Sequence, residues 1–223
     1  MGTPTMSTGI VGETRIAIKG VPWTVYETWI DSLPEGTPVR MAYDGRDLEI
    51  MVKGPVHESF RDLLGRFVRE VSESLAIPLK SLGETTWKRP DVERGLEADQ
   101  CYFFAAEKID AVADAVARRS NDVADYPNPD LAIEVDISPS SVDRPGIYAA
   151  LRVPEVWRFD GESVTIEQLD PELGYQQAAT SRWLFVRGGE VARWLLREDT
   201  RDERDWAERL RRWTREDLAT RRP

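Results

Sequence analysis

The 223-residue sequence contains one cysteine, Cys101, and one histidine, His57. A single cysteine excludes an internal disulfide bond and is typical of a reducing cytoplasm, which is the location we expect. It also excludes a zinc site built from cysteines, and the single histidine excludes a centre built from several histidines. A metal must therefore bind mainly to Asp and Glu, whose oxygen atoms favour magnesium or manganese over zinc.

Long apolar runs are missing too. No stretch approaches the length that crosses a bilayer, and the first 20 residues lack a signal-peptide pattern, so we expect no membrane partner. The formal net charge is -10, which is poorly suited overall to neutralising the phosphates of a long duplex, although a local basic groove is compatible with it. Hydrophobic residues at 41% and charged residues at 31% are typical of a globular protein with one substantial core.

Hydrophobic periodicity predicts a mixed α/β chain. Residues 1–20 are rich in Gly and Thr without periodicity, which favours a loosely held arm. One domain over 21–198 and a C-terminal amphipathic helix over 199–223 follow, since no linker divides the chain. The expected helices are 24–33 with Thr24 as its N-cap, a long helix after Gly54-Pro55, 108–119, one ending near 151, 191–196 and 202–218. The expected strands are 39–43 and 48–52 as a hairpin, 79–88, 99–104, 130–138, 155–160 and 163–169 as a second hairpin, and one near 175.

The segment from Asp130 to Ser138, with sequence DLAIEVDIS, carries the main functional signal. Its apolar residues alternate with others, as in a half-buried strand, so Glu134 and Asp136 leave the same face. Two carboxylates this close repel, and we expect one of them to have a raised pKa. A divalent metal held by oxygen ligands would relieve the repulsion, whereas two solvated acids on an open sheet face are the alternative.

Asp99 supplies another acid, at the start of a strand that we expect beside the strand of Glu134. Side chains on adjacent strands come within reach of one another across the sheet. Such a set can hold a metal, and the metal can stabilise charge on a phosphoryl oxygen. A cation is still required beside these acids.

Five separated motifs resemble, in order, those of the Uma2 (DUF820) family of the PD-(D/E)xK restriction-endonuclease-like superfamily. They are Gly45–Met51, His57-Glu58, Glu97–Asp99, Pro129–Ser140 and Ile147–Trp157. The resemblance covers about residues 20–195. It implies a restriction-endonuclease-like core, a mixed β-sheet flanked by helices, with an N-terminal hairpin and a C-terminal helix. It also implies an endonuclease that uses Mg²⁺ or Mn²⁺ and has DNA as its substrate, and a homodimer is a further expectation.

By this resemblance, Asp99 and Glu134 match the two acids that hold the metal, and the backbone carbonyl of Val135 is expected to join them. Ala98 replaces the proline of the Pro-Asp pair. Asp136 stands where the superfamily has its lysine, and an acid cannot replace an ammonium group. Asp136 is therefore either a third metal ligand or the mark of a reduced activity.

A displaced cation could take the place of that lysine. Arg144, where relatives carry Lys or Arg, is the first candidate, and Lys88 is the second; for Arg144 a solvated position at a helix start is the alternative. Helix geometry turns His57 toward the sheet and Glu58 mostly outward. His57 is then either a satisfied core residue or the active-site residue that the family match implies. The side chains expected to serve only the core are Tyr148, Glu155 and Trp157.

Two main functions remain open. In the first, the chain is a metal-dependent DNA endonuclease in which Asp99, Glu134 and Asp136 bind the metal, while Arg144 and His57 complete the catalytic site. In the second, it is a nuclease-fold binding or assembly module with weak or no catalysis, which the acid at position 136 and the acidic balance favour. A metal hydrolase acting on a small phosphate ester is a third hypothesis.

Overall fold

A computed structural model describes residues 5–8, 13–34 and 36–221, apart from a few side chains. The strands are β1 Thr5–Thr8, β2 Thr14–Ile18, β3 Val39–Tyr43, β4 Leu48–Val52, β5 Lys80–Arg89, β6 Arg94–Phe103, β7 Leu131–Val135, β8 Glu155–Phe159, β9 Val164–Asp170 and β10 Gly174–Gln177. The helices are α1 Trp23–Ser32, α2 Pro55–Ser74, α3 Ala106–Ala117, α4 Arg144–Ala150, α5 Gly188–Leu195 and α6 Glu203–Trp213. This arrangement confirms the predicted mixed α/β class.

The strands form one mixed sheet in the order β1-β2-β4-β3-β6-β7-β8-β9-β10, with β5 paired to β6. Strand β6 is central, because β5 pairs along one edge of it from Arg94 to Phe103. Its other edge pairs with β3 at Gly95 and Leu96 and with β7 from residue 100 to residue 102. Residues 97–99 therefore lie where the partner on that edge changes from β3 to β7. The pairing of β7 with β8 is parallel, with α4 between them in the chain.

Helix packing buries both faces of the centre of the sheet. The apolar stripe of α2, which includes Phe67 and Val71, packs in one core cluster with Ile133 of β7. On the opposite face, Tyr148 of α4 packs in a second cluster with Ala132. The prediction that the strand of Glu134 is half-buried is therefore wrong, because every residue of β7 is buried. An acid on such a strand lies in the interior, away from water.

The β3–β4 hairpin is confirmed at its predicted bounds, α2 follows Gly54 as predicted, and Gly45 in the hairpin turn has φ +91°. The predicted cap of α1 is wrong: the N-cap is Pro22, with no side-chain hydrogen bond. Residues 14–18 do not belong to the predicted loosely held arm, because they form β2, an inner strand between β1 and β4. Residues 1–4 and 9–12 of that arm lie outside the described residues.

The C-terminal helix packs on the same core as the rest of the chain. Trp206 of α6 is fully buried in the cluster that contains the stripe of α2. The guanidinium of Arg211 donates to both oxygens of Glu70 on α2, at 2.5 and 2.9 Å. The predicted helix is thus confirmed and belongs to the main core. No helix in the described part of the chain combines the length and the apolar character needed to cross a bilayer.

Candidate active site

A bulge in β6 sets the position of Asp99. Between Ala98 and Cys101, β6 contains one residue more than β5 does between the corresponding partners, Gly83 and Thr85. Bulges disturb the regular alternation of side chains and often re-aim a residue beside an active site. The carboxylate of Asp99 consequently lies between the diverging strands β6 and β7, where its Oδ2 accepts a hydrogen bond from the backbone N of Val135 at 2.8 Å.

Asp99 is almost fully buried, at 1% exposure, and two basic side chains reach it. Nε2 of His57 is 3.1 Å from Oδ2, and the ammonium group of Lys53 donates to Oδ1. Burial alone would raise the pKa of Asp99, but the adjacent His57 and the charge of Lys53 hold it well below its usual range. Asp99 is therefore a carboxylate that stays ionised in the interior.

Glu134 has a different set of partners, which reach it from α4. Nη2 of Arg144 is 2.5 Å from Oε2, and the hydroxyl of Tyr148 donates to Oε1. The pKa of Glu134 is raised, first by burial and then by the negative charges of Asp99 and Asp136, while Arg144 opposes the shift. This result confirms the expected raised pKa in the acid pair. The ring of Tyr148 is fully buried, as expected for a core residue, and its hydroxyl contacts the carboxylate of Glu134.

Asp136 follows the end of β7 and is the most accessible of the three acids, with 18% of its side chain exposed. Three guanidinium groups surround it. The shortest distances to its oxygens are 3.3 Å from Arg15, 3.5 Å from Arg158 and 4.0 Å from Arg144. Asp136 is thus an arginine-bound carboxylate, and its role as a third metal ligand remains a prediction.

The structure places His57 against Asp99 and Arg144 against Glu134, and the charge of Asp99 reaches Glu134, but Lys88 lies outside this cluster. Nζ of Lys88 is 2.5 Å from Asp31 of α1, near the surface. The inward orientation of His57 is confirmed, since its side chain is fully buried and that of Glu58 is 40% exposed. The lysine beside the acids is Lys53 instead. Its signal in the sequence is the period of two along β4, which continues from Glu49 through Met51 to Lys53.

The second strand, β2, also reaches this cluster, which the sequence did not indicate. Arg15 of β2 is buried, and its guanidinium donates to Glu49 at 2.8 Å and to Ser138 at 2.8 Å. Glu13 accepts hydrogen bonds from Ser138 and, at 3.1 Å, from Arg15. Its Oε1 is buried without a hydrogen-bond partner and is 3.7 Å from Nε2 of His57. Residues far apart in the chain therefore close the site.

The expected core roles of Glu155 and Trp157 are consistent with their contacts. Both are fully buried, and Nε1 of Trp157 donates to Glu155 at 2.8 Å. Glu155 also accepts from the hydroxyl of Ser181 at 2.6 Å and from the backbone N of Arg182 at 2.9 Å. These bonds join β8 to the loop before α5, away from the acids.

The fit of a magnesium ion can be judged from these contacts. Among the described residues, no three His, Cys, Asp or Glu side chains converge on a common metal position. Magnesium, however, usually binds through one or two carboxylates and keeps several waters. Asp99 and Glu134 could meet that requirement, and the charges of Asp99 and Asp136 add to burial in raising the pKa of Glu134. The carboxylates of Asp99 and Glu134 fit magnesium if Lys53 moves away from Asp99 or Arg144 moves away from Glu134.

A comparison with protein families identifies the family of the chain. The model of the Uma2 family, described as "Putative restriction endonuclease", matches residues 23–191, which is more than half of the chain. A search of curated proteins found no match. The matched range includes Lys53, His57, Asp99, Glu134 and Arg144 together with strands β3 to β10, whereas β2 and its Arg15 precede it. The chain belongs to the Uma2 family.

Proposed function

We propose that the chain is a magnesium-dependent endonuclease that hydrolyses phosphodiester bonds in DNA, with Asp99 and Glu134 holding the metal. Manganese is the alternative ion, since it accepts the same oxygen ligands. Membership in a family described as "Putative restriction endonuclease" supports the reaction class. The observation that carries the proposal is the burial of Asp99 and Glu134, each 1% exposed, at the place where β6 changes its partner strand.

Stability alone does not account for this cluster. Burying ion pairs costs desolvation energy that their attraction often fails to repay, and well-packed apolar residues are frequently as stable. Here two carboxylates, a lysine and an arginine replace such residues in the centre of the sheet. Perturbed, buried ionisable groups of this kind are concentrated at functional sites.

Some residues of the cluster would hold the metal ion, and others supply positive charge beside it. A bound magnesium ion would supply a Lewis acid for the scissile phosphate. Lys53 lies beside Asp99 and supplies the ammonium group that is missing at position 136. Arg144 lies beside Glu134 and supplies a permanent positive charge, although it is a poor proton acceptor. His57 orients Asp99 through its Nε2, at 3.1 Å from the carboxylate.

Cleavage of supercoiled plasmid DNA in millimolar magnesium chloride tests the proposal. The variants Asp99→Asn and Glu134→Gln should each lower the cleavage rate by about 10² or more, the scale seen when one charge-stabilising group is lost. The control Glu162→Gln changes an exposed side chain and should cleave at the unchanged rate. Full cleavage by both active-site variants, or cleavage that persists in excess EDTA, would refute the assignment.

A non-catalytic binding module is the second candidate, and one observation favours it. The oxygens of Asp99 and Glu134 are already engaged by Lys53, Arg144 and Tyr148, and both acids are closed off from solvent. A protein of this class would bind a nucleic acid or protein partner and show no heat of magnesium binding.

We also propose a cytoplasmic location, because the only cysteine is a free thiol. The homodimer remains a prediction.

A further inference from the structure

Each of the three arginines around Asp136 has a closer carboxylate partner elsewhere. These closer pairs are Arg15–Glu49 at 2.8 Å, Arg144–Glu134 at 2.5 Å and Arg158–Glu167 at 2.6 Å. The charge of each arginine is therefore balanced without Asp136. Its carboxylate, at 3.3 to 4.0 Å from the guanidinium groups, is the loosely held member of the cluster and could leave without breaking the three short pairs.

The arginines also retain donors that Asp136 does not satisfy. Nε of Arg144 and Nη2 of Arg158 are buried and have no hydrogen-bond partner. Arg144 is only 4% exposed, and its Nε is the atom that lies 4.0 Å from Asp136. Buried donors without partners are uncommon and cost free energy, so they indicate an acceptor that is bound in another state.

The shape and charge of the missing acceptor follow from this arrangement. A carboxylate offers two oxygens in one plane to three guanidinium groups that approach from β2, α4 and β8. A tetrahedral phosphate offers oxygens in three dimensions, and guanidinium groups bind phosphate well through paired N–H donors. A phosphodiester group carries one negative charge, as Asp136 does, so exchanging one for the other leaves the charge of the cluster unchanged.

We propose that Arg15, Arg144 and Arg158 form a binding site for a backbone phosphate of a nucleic acid, and that the Asp136 carboxylate occupies this site in the free protein. Asp136 acts in this way as a built-in competitor of the substrate phosphate. This inference rests on the proposed function, because it names the group by which the same site recognises DNA. It also gives the acid at the superfamily's lysine position a role of its own.

Isothermal titration calorimetry of the full chain with the dinucleotide thymidylyl-thymidine, in EDTA, tests the site without any cleavage. Asp136→Asn removes the competing charge and should increase the affinity by about tenfold or more, as expected when a charged acceptor is exchanged at arginine donors. The control Asp114→Asn makes the same charge change at an exposed position on α3 and should leave the affinity unchanged. Adding Arg158→Gln to Asp136→Asn should remove most of the gain.

Four results would overturn the inference. Asp136→Asn could bind the dinucleotide no more tightly than Asp114→Asn does, or Arg158→Gln could leave the gain intact. Asp136→Asn could increase the affinity for a dinucleotide with an uncharged methylphosphonate linkage by as much as for thymidylyl-thymidine. Inorganic phosphate alone could also bind more tightly than the dinucleotide. If Asp136→Asn does not fold, Asp136→Ser removes the same carboxylate with a smaller side chain. Phosphate binding without cleavage in magnesium would instead count against the proposed function alone.

Discussion

Replacing Lys53 by methionine should destabilise the protein strongly, because it leaves the carboxylate of Asp99 buried without its cation. Lys53 is 6% exposed and Asp99 is 1% exposed, so water cannot take over the role of the ammonium group. Removing one partner of a buried ion pair costs about 3 to 5 kcal/mol. His57 and the backbone N of Val135 still contact Asp99, which favours the lower end of this range.

Urea unfolding followed by circular dichroism measures this loss, and a thermal scan should show a Tm lower by roughly 6 to 20 °C for a chain of this size. Lys88→Met is the matched control, because Lys88 also pairs with an aspartate, Asp31, but in an exposed position. It should cost less than about 1 kcal/mol. Combining Lys53→Met with Asp99→Asn should recover part of the loss. Equal costs for Lys53→Met and Lys88→Met would refute the reasoning.

Three further predictions concern the site, the thiol and the C-terminal helix. Arg144→Ala should lower turnover by about 10² in steady-state kinetics, while magnesium affinity measured by calorimetry hardly falls, since arginine is no ligand. Burial raises the pKa of the Cys101 thiol to about 12, so it should resist a thiol reagent at pH 8 until the chain unfolds, with roughly one thiol in ten thousand ionised. Trp206→Ala, at a fully buried position, should cost about 3 to 5 kcal/mol in urea unfolding. Trp29→Ala, at a position 39% exposed, should cost far less. Rapid labelling of native Cys101 or equal losses at the two tryptophans would contradict these expectations.

Sequence patterns were sufficient to predict those helices and hairpins whose signals come from residues close together in the chain. The period of α2 and the turn signal at Asp44-Gly45 depend on residues close in sequence, and both elements form as predicted. The acids of the cluster were also found, because Glu134 interrupts an apolar strand and Asp99 belongs to a recognisable motif. His57 was oriented correctly from helix geometry alone. For α2, the hairpin and His57 the relevant information lies within one element, whereas Asp99 was assigned with the help of five separated motifs.

Features that depend on strand pairing could not be predicted. Arg15 and Glu13 reach the site only because β2 pairs with β4, and the short, irregular N-terminal sequence gives no periodic signal for that pairing. The bulge that re-aims Asp99 exists in the register between β5 and β6, not in either sequence. Lys88 was the second candidate for the cation, after Arg144, but tertiary packing directs it to Asp31.

The central claim is that Asp99 and Glu134 hold magnesium, and a calorimetric magnesium titration of the wild type against Glu134→Ala tests it most directly. Wild type should bind the ion with a measurable heat, because Asp99 and Glu134 would supply two carboxylate ligands. Glu134→Ala should show no comparable heat, while Asp114→Ala should titrate like the wild type. Indistinguishable titrations of wild type and Glu134→Ala, or no magnesium heat in either, would contradict the claim.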